Sequence, residues 1–149
     1  MNTQKWINRA SKSYIVLSSL SLLSVSLMAF SNPQSVMDLV RVQLNNTDAL
    51  SSIRGVYGGV GLTLVISLLY LMVKDVQKGL ALLCLLWGFY AASRLITILA
   101  DGTLGAFGTQ WLAIESLFFA IAGTLFVLQK KYVAGKHYRT LHFGRAQTA

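Results

Sequence analysis

The sequence predicts an all-α membrane protein, a single domain built as a bundle of four transmembrane helices with both termini on one side. Of its 149 residues 54% are hydrophobic and only 12% are charged, whereas soluble domains carry about twice that share of charge. Four apolar segments have the roughly 20-residue length that a helix needs to cross a bilayer. The net charge of +8 resides mainly in short blocks between these segments, a pattern typical of cytoplasmic membrane loops rather than of a nucleic-acid-binding surface.

The first segment, residues 14–30, is rich in serine and follows a basic start formed by Lys5, Arg9 and Lys12. A cleaved signal peptide would have the same general order of charge and apolar residues. The stretch "SLMAFSNPQ" contains no A-x-A cleavage site, however, and the apolar run is long for a signal core. We therefore expect this segment to be an uncleaved membrane anchor.

The connection 31–54 predicts a short amphipathic helix that lies in the interface or caps the bundle. Its start at Ser31, Asn32 and Pro33 is typical of helix N-termini. The residues "LNNTDALSS" then form a connector in which Asp48 or Ser51 could cap the next helix. An ordinary linker is the alternative. The apolar side of this helix would consist of Val36, Met37, Leu39, Val40 and Leu44.

The second, third and fourth segments span residues 55–73, 79–100 and 111–128, and the second begins with several glycines. Gly55 and Gly59 form a G-x-x-x-G motif, which allows a neighbouring helix to approach closely. Gly58 and Gly61 keep the same end of this helix narrow. A nucleotide-binding loop is not expected, since no Walker lysine follows and no strand precedes.

The distribution of lysine and arginine predicts the orientation. In a four-span chain, the N-terminal arm, the loop after the second span and the tail 129–149 share one side. That side would carry most of the 13 basic residues, which places both termini in the cytoplasm and segments 31–54 and 101–110 outside. We expect a multi-pass membrane protein whose basic tail lies at lipid headgroups, with RNA binding by the tail as the weaker alternative. The basic residues concerned are Lys5, Arg9, Lys12, Lys74, Lys78, Lys130, Lys131, Lys136, Arg139 and Arg145.

Four ionisable residues occur close to the predicted outer ends of three spans, at Arg54, Arg94, Asp101 and Glu115. Charges inside a membrane are costly, so they indicate function or pairing. We expect them to converge on an outward-facing cup, with Tyr90 and other aromatic residues deeper inside. Such a cup could bind a small ion, an anion or an amphiphile. The alternative is a buried Arg94–Glu115 pair that only fixes helix register.

Residue types for enzymatic or metal chemistry are sparse. Cys84 is the only cysteine, and His137 and His142 have no acidic or thiol partner nearby in the sequence. Both histidines lie in the tail, far from the predicted outer carboxylates, so no Ser-His-Asp arrangement is expected. We expect no metal, no cofactor and no enzymatic activity, with a membrane enzyme acting on lipid or quinone as the alternative.

Three stretches, "IRGVYGGVGLTL", "GFYAASRLITILADG" and "WLAIESLFF", resemble the small bacterial four-helix membrane proteins grouped as domain-of-unknown-function family 4345. The resemblance covers about residues 36–130. Typical members often have an acidic residue just before the first arginine, where this chain has Ser52 and Ile53, so a partner for Arg54 would come from another helix. The family pattern maps onto Arg54, Tyr57, Gly58, Gly59, Arg94, Asp101, Gly102 and Glu115.

The resemblance implies an inner-membrane protein that contributes to envelope homeostasis and antibiotic tolerance by maintaining the transmembrane electrochemical gradient. We therefore expect a non-enzymatic protein with an outward-facing charged cavity. Two alternatives stay open. The chain could be an accessory subunit that docks through its glycine-rich face, as part of an oligomer or a larger membrane complex, or it could bind a small anion, lipid or quinone.

Overall fold

Seven helical segments follow one another in the computed structural model, which describes the backbone of residues 2–146 and the side chains of residues 3–131. No strand occurs within the described backbone. The segments are α1 (Asn2–Ser31), α2 (Pro33–Asp38), α3 (Thr47–Ile53), a π-helical segment (Arg54–Val60), α4 (Gly61–Lys74), α5 (Val76–Asp101) and α6 (Ala106–Ala146).

Within the part of the chain that the structure describes, four helices are long and apolar enough to cross a membrane, which confirms the predicted number of spans and the all-α class. They cover Thr3–Ser31, Thr47–Lys74, Val76–Asp101 and Ala106–Lys131. The second is a continuous helical run through α3, the π-helical segment and α4. Large apolar side chains such as Ile66, Phe89 and Leu99 are exposed on these helices. So much exposed apolar surface is unfavourable in water and favourable against lipid, as expected of a multi-pass membrane protein.

The helices extend further than the apolar segments that predicted them. α1 begins at Asn2 rather than at residue 14, because no glycine or proline interrupts residues 2–31. α6 begins at Ala106 rather than at residue 111 and continues to Ala146 through most of the predicted tail. Hydropathy marks the part of a helix that lies in lipid, whereas the backbone hydrogen bonds continue beyond it. The side chains of Lys136, His137, Arg139, His142 and Arg145 lie outside the described residues.

The connection between α1 and α3 contains a helix, but a shorter one than predicted. α2 ends at Asp38, after which Arg41 adopts a left-handed conformation (φ 59°). The Gln34 side chain closes the loop: its amide donates to Asp38 Oδ1 (2.7 Å) and the Val42 carbonyl (2.9 Å), and its oxygen accepts from Leu44 N (2.9 Å).

Only part of the predicted apolar side of this connection is buried. Val36 and Met37 pack against Ala29 of α1, whereas Leu39 and Val40 are exposed. The cap of α3 also differs from the prediction. Asn46, rather than Asp48 or Ser51, accepts a hydrogen bond from Ala49 N at 2.8 Å.

α1 packs against the glycine-rich end of the second span. A Cβ atom added at Gly58 would approach the Phe30 ring to 3.0 Å, and one added at Gly61 would overlap the Ser26 hydroxyl. Gly79 of α5 similarly allows Ile15 to approach, with 3.0 Å to an added Cβ. These absent side chains let α1 lie deep between its neighbours, so that Ile15 is completely buried.

The turn between α4 and α5 is stabilised by Asp75. Its carboxylate accepts a hydrogen bond from Lys78 N at 3.1 Å and lies 3.4 Å from Lys78 Nζ. The backbone hydrogen bond, followed by the ammonium charge, lowers the pKa of Asp75. A lowered folded-state pKa means that this cap stabilises the fold at neutral pH and that its contribution is lost as the pH falls through that pKa.

We predict that Gly61→Val destabilises the protein whereas Gly55→Val does not. The added side chain at position 61 must displace Ser26, whose hydroxyl is already bonded to the Leu22 carbonyl (2.8 Å), and overpacking of this kind costs about 1–3 kcal/mol. A Cβ at position 55 meets no part of the described chain within 4 Å. Thermal unfolding of the purified variants in detergent measures the difference, and equal Tm values would contradict this packing.

Candidate functional site

The candidate site lies between α5 and α6, which form an antiparallel pair joined by residues 102–105. This short connection places the last turns of α5 beside the first turns of α6. Arg94 therefore faces α6 at the depth at which Glu115 faces α5. Arg94 Nε donates to Glu115 Oε2 at 2.6 Å and Arg94 Nη2 donates to Glu115 Oε1 at 2.8 Å.

This ion pair is bidentate, so the planar guanidinium and the carboxylate fix each other in orientation as well as distance. Glu115 is only 3% exposed, whereas the side chain of Arg94 is 24% exposed. The carboxylate is thus enclosed by protein, and the guanidinium can be reached from one side. Removing either partner would leave a charge in an apolar environment without its counter-ion.

Two tyrosines lie close to the pair. Tyr57, from the π-helical segment, and Tyr90, one turn before Arg94 on α5, are near enough to Arg94 to interact with it electrostatically. Tyr90 also packs at a tilt against Trp87, with ring centroids 6.0 Å apart and an interplanar angle of 55°. The charged pair therefore has two phenol groups within electrostatic range.

The other two predicted charges do not join this pair. Arg54 is exposed and its Nε donates to the Phe30 carbonyl at the end of α1, at 3.3 Å. This bond satisfies one of the free carbonyls that every helix C-terminus leaves. Asp101 is the last residue of α5, is exposed, and forms no ion pair with any described side chain. The structure thus brings together two of the four charges, Arg94 and Glu115.

The predicted packing glycines divide into two groups. Gly58 and Gly61 contact α1, as described above. A Cβ added at Gly55 would meet nothing within 4 Å, and one at Gly59 would meet only the Arg54 carbonyl of its own helix, at 4.0 Å. The two residues of the G-x-x-x-G motif therefore lie on a face that the described part of the chain leaves open.

Sequence reasoning missed a group of buried polar side chains below the ion pair. Tyr14 of α1 is buried and its hydroxyl donates to the Phe118 carbonyl of α6 at 2.7 Å. Trp87 packs edge-on against Phe118, with centroids 5.0 Å apart, and its Nε1 has no partner among the described residues. The signal available was the serine-rich first span, in which Ser11 and Ser18 are both completely buried.

The model of the family described as "Domain of unknown function (DUF4345)" matches residues 10–127. The chain belongs to this family. The match begins inside α1 and so extends further towards the N-terminus than the resemblance over residues 36–130, which rested on motifs of the last three spans. No curated protein and no solved structure matches the chain.

The part of this DUF4345 chain whose side chains are described contains no group of three His, Cys, Asp or Glu residues that could hold a metal ion. Cys84 is half-buried and not in a disulfide. The arrangement around Arg94 and Glu115 offers a carboxylate and a guanidinium, with phenols in electrostatic range.

We predict that Arg94→Ala destabilises this DUF4345 protein more than the double change Arg94→Ala/Glu115→Ala does. The single change leaves a buried carboxylate unpaired, which costs about 3–5 kcal/mol, whereas the double change removes both charges. Unfolding in detergent at neutral pH measures both variants. The exposed pair of Lys78 and Asp75 supplies the control: Lys78→Ala is expected to have little effect, since surface pairs are weak and screened. A double variant no more stable than the single one would contradict a desolvated pair.

Proposed function

We propose that the protein is a non-enzymatic membrane protein that supports transmembrane ion or proton homeostasis through the Arg94–Glu115 pair, and thereby envelope stress and antibiotic tolerance. The observation that carries the proposal is a carboxylate 3% exposed, bound to a guanidinium inside an apolar helix pair. Intramembrane ionisable groups are costly, and proteins that retain them use them in ion pathways or proton relays.

The geometry of the pair supports a titratable role for Glu115. Protonation of its carboxylate would weaken both hydrogen bonds from Arg94 and leave the guanidinium with a free positive charge. Because Arg94 is partly exposed, it could then bind a small anion or an anionic amphiphile on its open side. Tyr57 and Tyr90 lie within electrostatic range of Arg94, and their hydroxyls are neutral groups that can donate and accept hydrogen bonds.

We place the protein in a bacterial inner membrane with both termini in the cytoplasm, an orientation supported by the basic residues at one end of the bundle. The test uses single cysteines in a Cys84→Ala background. Thr103→Cys lies in the connection between α5 and α6, and Gln77→Cys lies at the opposite end of α5. A membrane-impermeant maleimide should label Thr103→Cys in intact cells and Gln77→Cys only after permeabilisation. The reverse pattern would contradict the orientation.

The function is tested by Glu115→Gln in cells that lack the chromosomal copy. The substitution keeps the shape of the side chain and one of its two acceptor oxygens, and it removes the negative charge. We expect the variant to accumulate in the membrane and to lose the effect of the wild-type protein on membrane potential, measured with a potential-sensitive dye, and on antibiotic tolerance.

Asp75→Asn is the matched control, because it removes a carboxylate from the α4–α5 turn and leaves the buried pair unchanged. It is expected to behave as wild type in both assays. If Glu115→Gln and Arg94→Ala accumulate normally and complement fully, the pair has no part in the function and the proposal is wrong.

A second candidate, an accessory subunit of a larger membrane complex, is favoured by the open face at Gly55 and Gly59. A small-residue face of this kind lets another transmembrane helix approach closely. Crosslinking in native membranes followed by mass spectrometry would recover a stoichiometric partner at this face. Recovery of that partner from wild-type but not from Gly59→Leu membranes would favour the subunit role over an independent one.

A further inference from the structure

Polar groups without partners lie in the middle of the bundle. Ser11, Ser18 and Ser19 of α1 and the indole Nε1 of Trp87 are all buried, and none has a hydrogen-bond partner among the described residues. In a membrane protein no bulk water reaches such groups, so each unpaired group is strongly unfavourable. Buried polar groups are nearly always hydrogen-bonded, and ordered water bonds to those that the protein leaves unpaired.

Other serines of α1 form a hydrogen bond within the helix that Ser11, Ser18 and Ser19 lack. The hydroxyls of Ser21, Ser24 and Ser26 each donate to a carbonyl three or four residues earlier in α1. This bond is open to any helical serine without movement of the backbone. The hydroxyls of Ser11 and Ser18 make no such bond, although both residues are completely buried.

Ser11 and Ser18 lie on one stripe of α1 together with Asn8 and Tyr14, since these residues are three or four positions apart. Ser11 and Ser18 are separated by about 10 Å along the helix. At the end of the stripe nearest the N-terminus, Asn8 Oδ1 accepts a hydrogen bond from Gln129 Nε2 of α6 at 3.2 Å. Ser19 is seven residues before Ser26, which faces Gly61, and therefore lies towards α4 rather than on this stripe.

The stripe continues on α5. The side chains of Ser18 and Trp87 both approach the Tyr14 hydroxyl closely enough for a weak hydrogen bond, although neither meets the distance and angle of a full one. Trp87, Tyr90 and Arg94 follow at helical spacing on one face of α5, and Tyr90 is close to Glu115. Polar side chains therefore run from one end of the bundle to the buried carboxylate, and we call them the polar row: Asn8, Ser11, Tyr14, Ser18, Trp87 and Tyr90.

We propose that the polar row binds a chain of internal water molecules, and that protons reach Glu115 along this chain from the end of the bundle that carries Asn8 and Gln129. Each transfer along the chain breaks one O–H bond as the next forms. The proton that enters at Asn8 is thereby matched by one that protonates the Glu115 carboxylate. Flux continues when Glu115 releases this proton to water on the exposed side of Arg94 and the ion pair forms again. The proton route rests on the proposed function of Glu115, whereas the bound water does not.

Water fits the row better than an ion does. Hydroxyl groups can donate and accept, the indole N–H can donate, and no charged side chain lies in the row below the Arg94–Glu115 pair. An isolated ion at Ser18 would have no counter-charge and few ligands. A water molecule needs about three hydrogen bonds, which Ser18, Tyr14 and Trp87 can supply together.

Hydroxyl-radical footprinting of the full chain in lipid nanodiscs tests the bound water, because X-ray radiolysis generates radicals from water inside a protein as well as outside it. We expect rapid oxidation of Tyr14 and Trp87 despite their burial. Met37 is the internal control: it is equally buried but packs among the apolar side chains Ala29 and Val36, and its thioether is more easily oxidised than a phenol. Tyr14 and Trp87 no more reactive than Met37 would overturn the proposal.

A pair of serine variants adds a second readout, the thermal stability of the protein, which does not depend on radicals. Ser18→Ala removes a hydroxyl of the row, whereas Ser24→Ala removes one that is bonded within α1. With water bound, Ser18→Ala is expected to lose most of the labelling of Tyr14 and to lower the Tm, and Ser24→Ala is expected to leave the labelling unchanged. In a dry interface Ser18→Ala would instead relieve an unpaired polar group and raise the Tm, which would contradict the proposal.

The proton route is tested in proteoliposomes with a pH-sensitive dye under an imposed potential. Wild type is expected to conduct protons, and Ser11→Ala and Ser18→Ala are expected to slow the flux while Ser24→Ala does not. Flux that is unchanged in both row variants would overturn the route. Wild-type protein without any flux would count against the proposed function of Glu115, and the footprinting result would still decide whether the row holds water.

Discussion

The bidentate bond between Arg94 and Glu115 is the constraint on which the arrangement of the last two spans depends. Apolar contacts favour one helix register over another only weakly in a membrane, since lipid tails are as apolar as leucine and compete for the same contacts. A guanidinium and a carboxylate that must meet at 2.6 and 2.8 Å allow only one register of α5 against α6. The short connection 102–105 must then reverse the chain so that α6 begins at the depth that brings Glu115 level with Arg94.

The first span, α1, lies in the centre of the bundle and contributes small and polar side chains to its packing. Serines and an alanine on α1 allow close approach, and Gly58, Gly61 and Gly79 remove side chains on the opposing helices. Close packing brings Tyr14 near enough to bond to the backbone of α6. The same packing buries hydroxyl groups of α1 at a depth where lipid offers no hydrogen-bond partner, among apolar core side chains such as Ile15, Leu68 and Leu80.

The all-α class and the number of spans could be predicted from the sequence, because a helix needs about 20 consecutive apolar residues to cross the bilayer. The pairing of Arg94 with Glu115 could also be anticipated, since both lie at similar depth on consecutive spans. The exclusion of Arg54 and Asp101 could not, because a residue at a helix end can bond to a free carbonyl or face water. Likewise, sequence shows a G-x-x-x-G motif but not that Gly58 and Gly61, rather than Gly55 and Gly59, contact α1.

Solid-state NMR of the protein in lipid bilayers gives the most direct test of the central claim, by measuring the dipolar coupling between the Arg94 guanidinium nitrogens and the Glu115 carboxyl carbon. The account predicts a strong coupling, as two direct hydrogen bonds require, in a sample whose Glu115 carboxyl is shielded from bulk water. A negligible coupling, with the two groups apart in the bilayer, would contradict it.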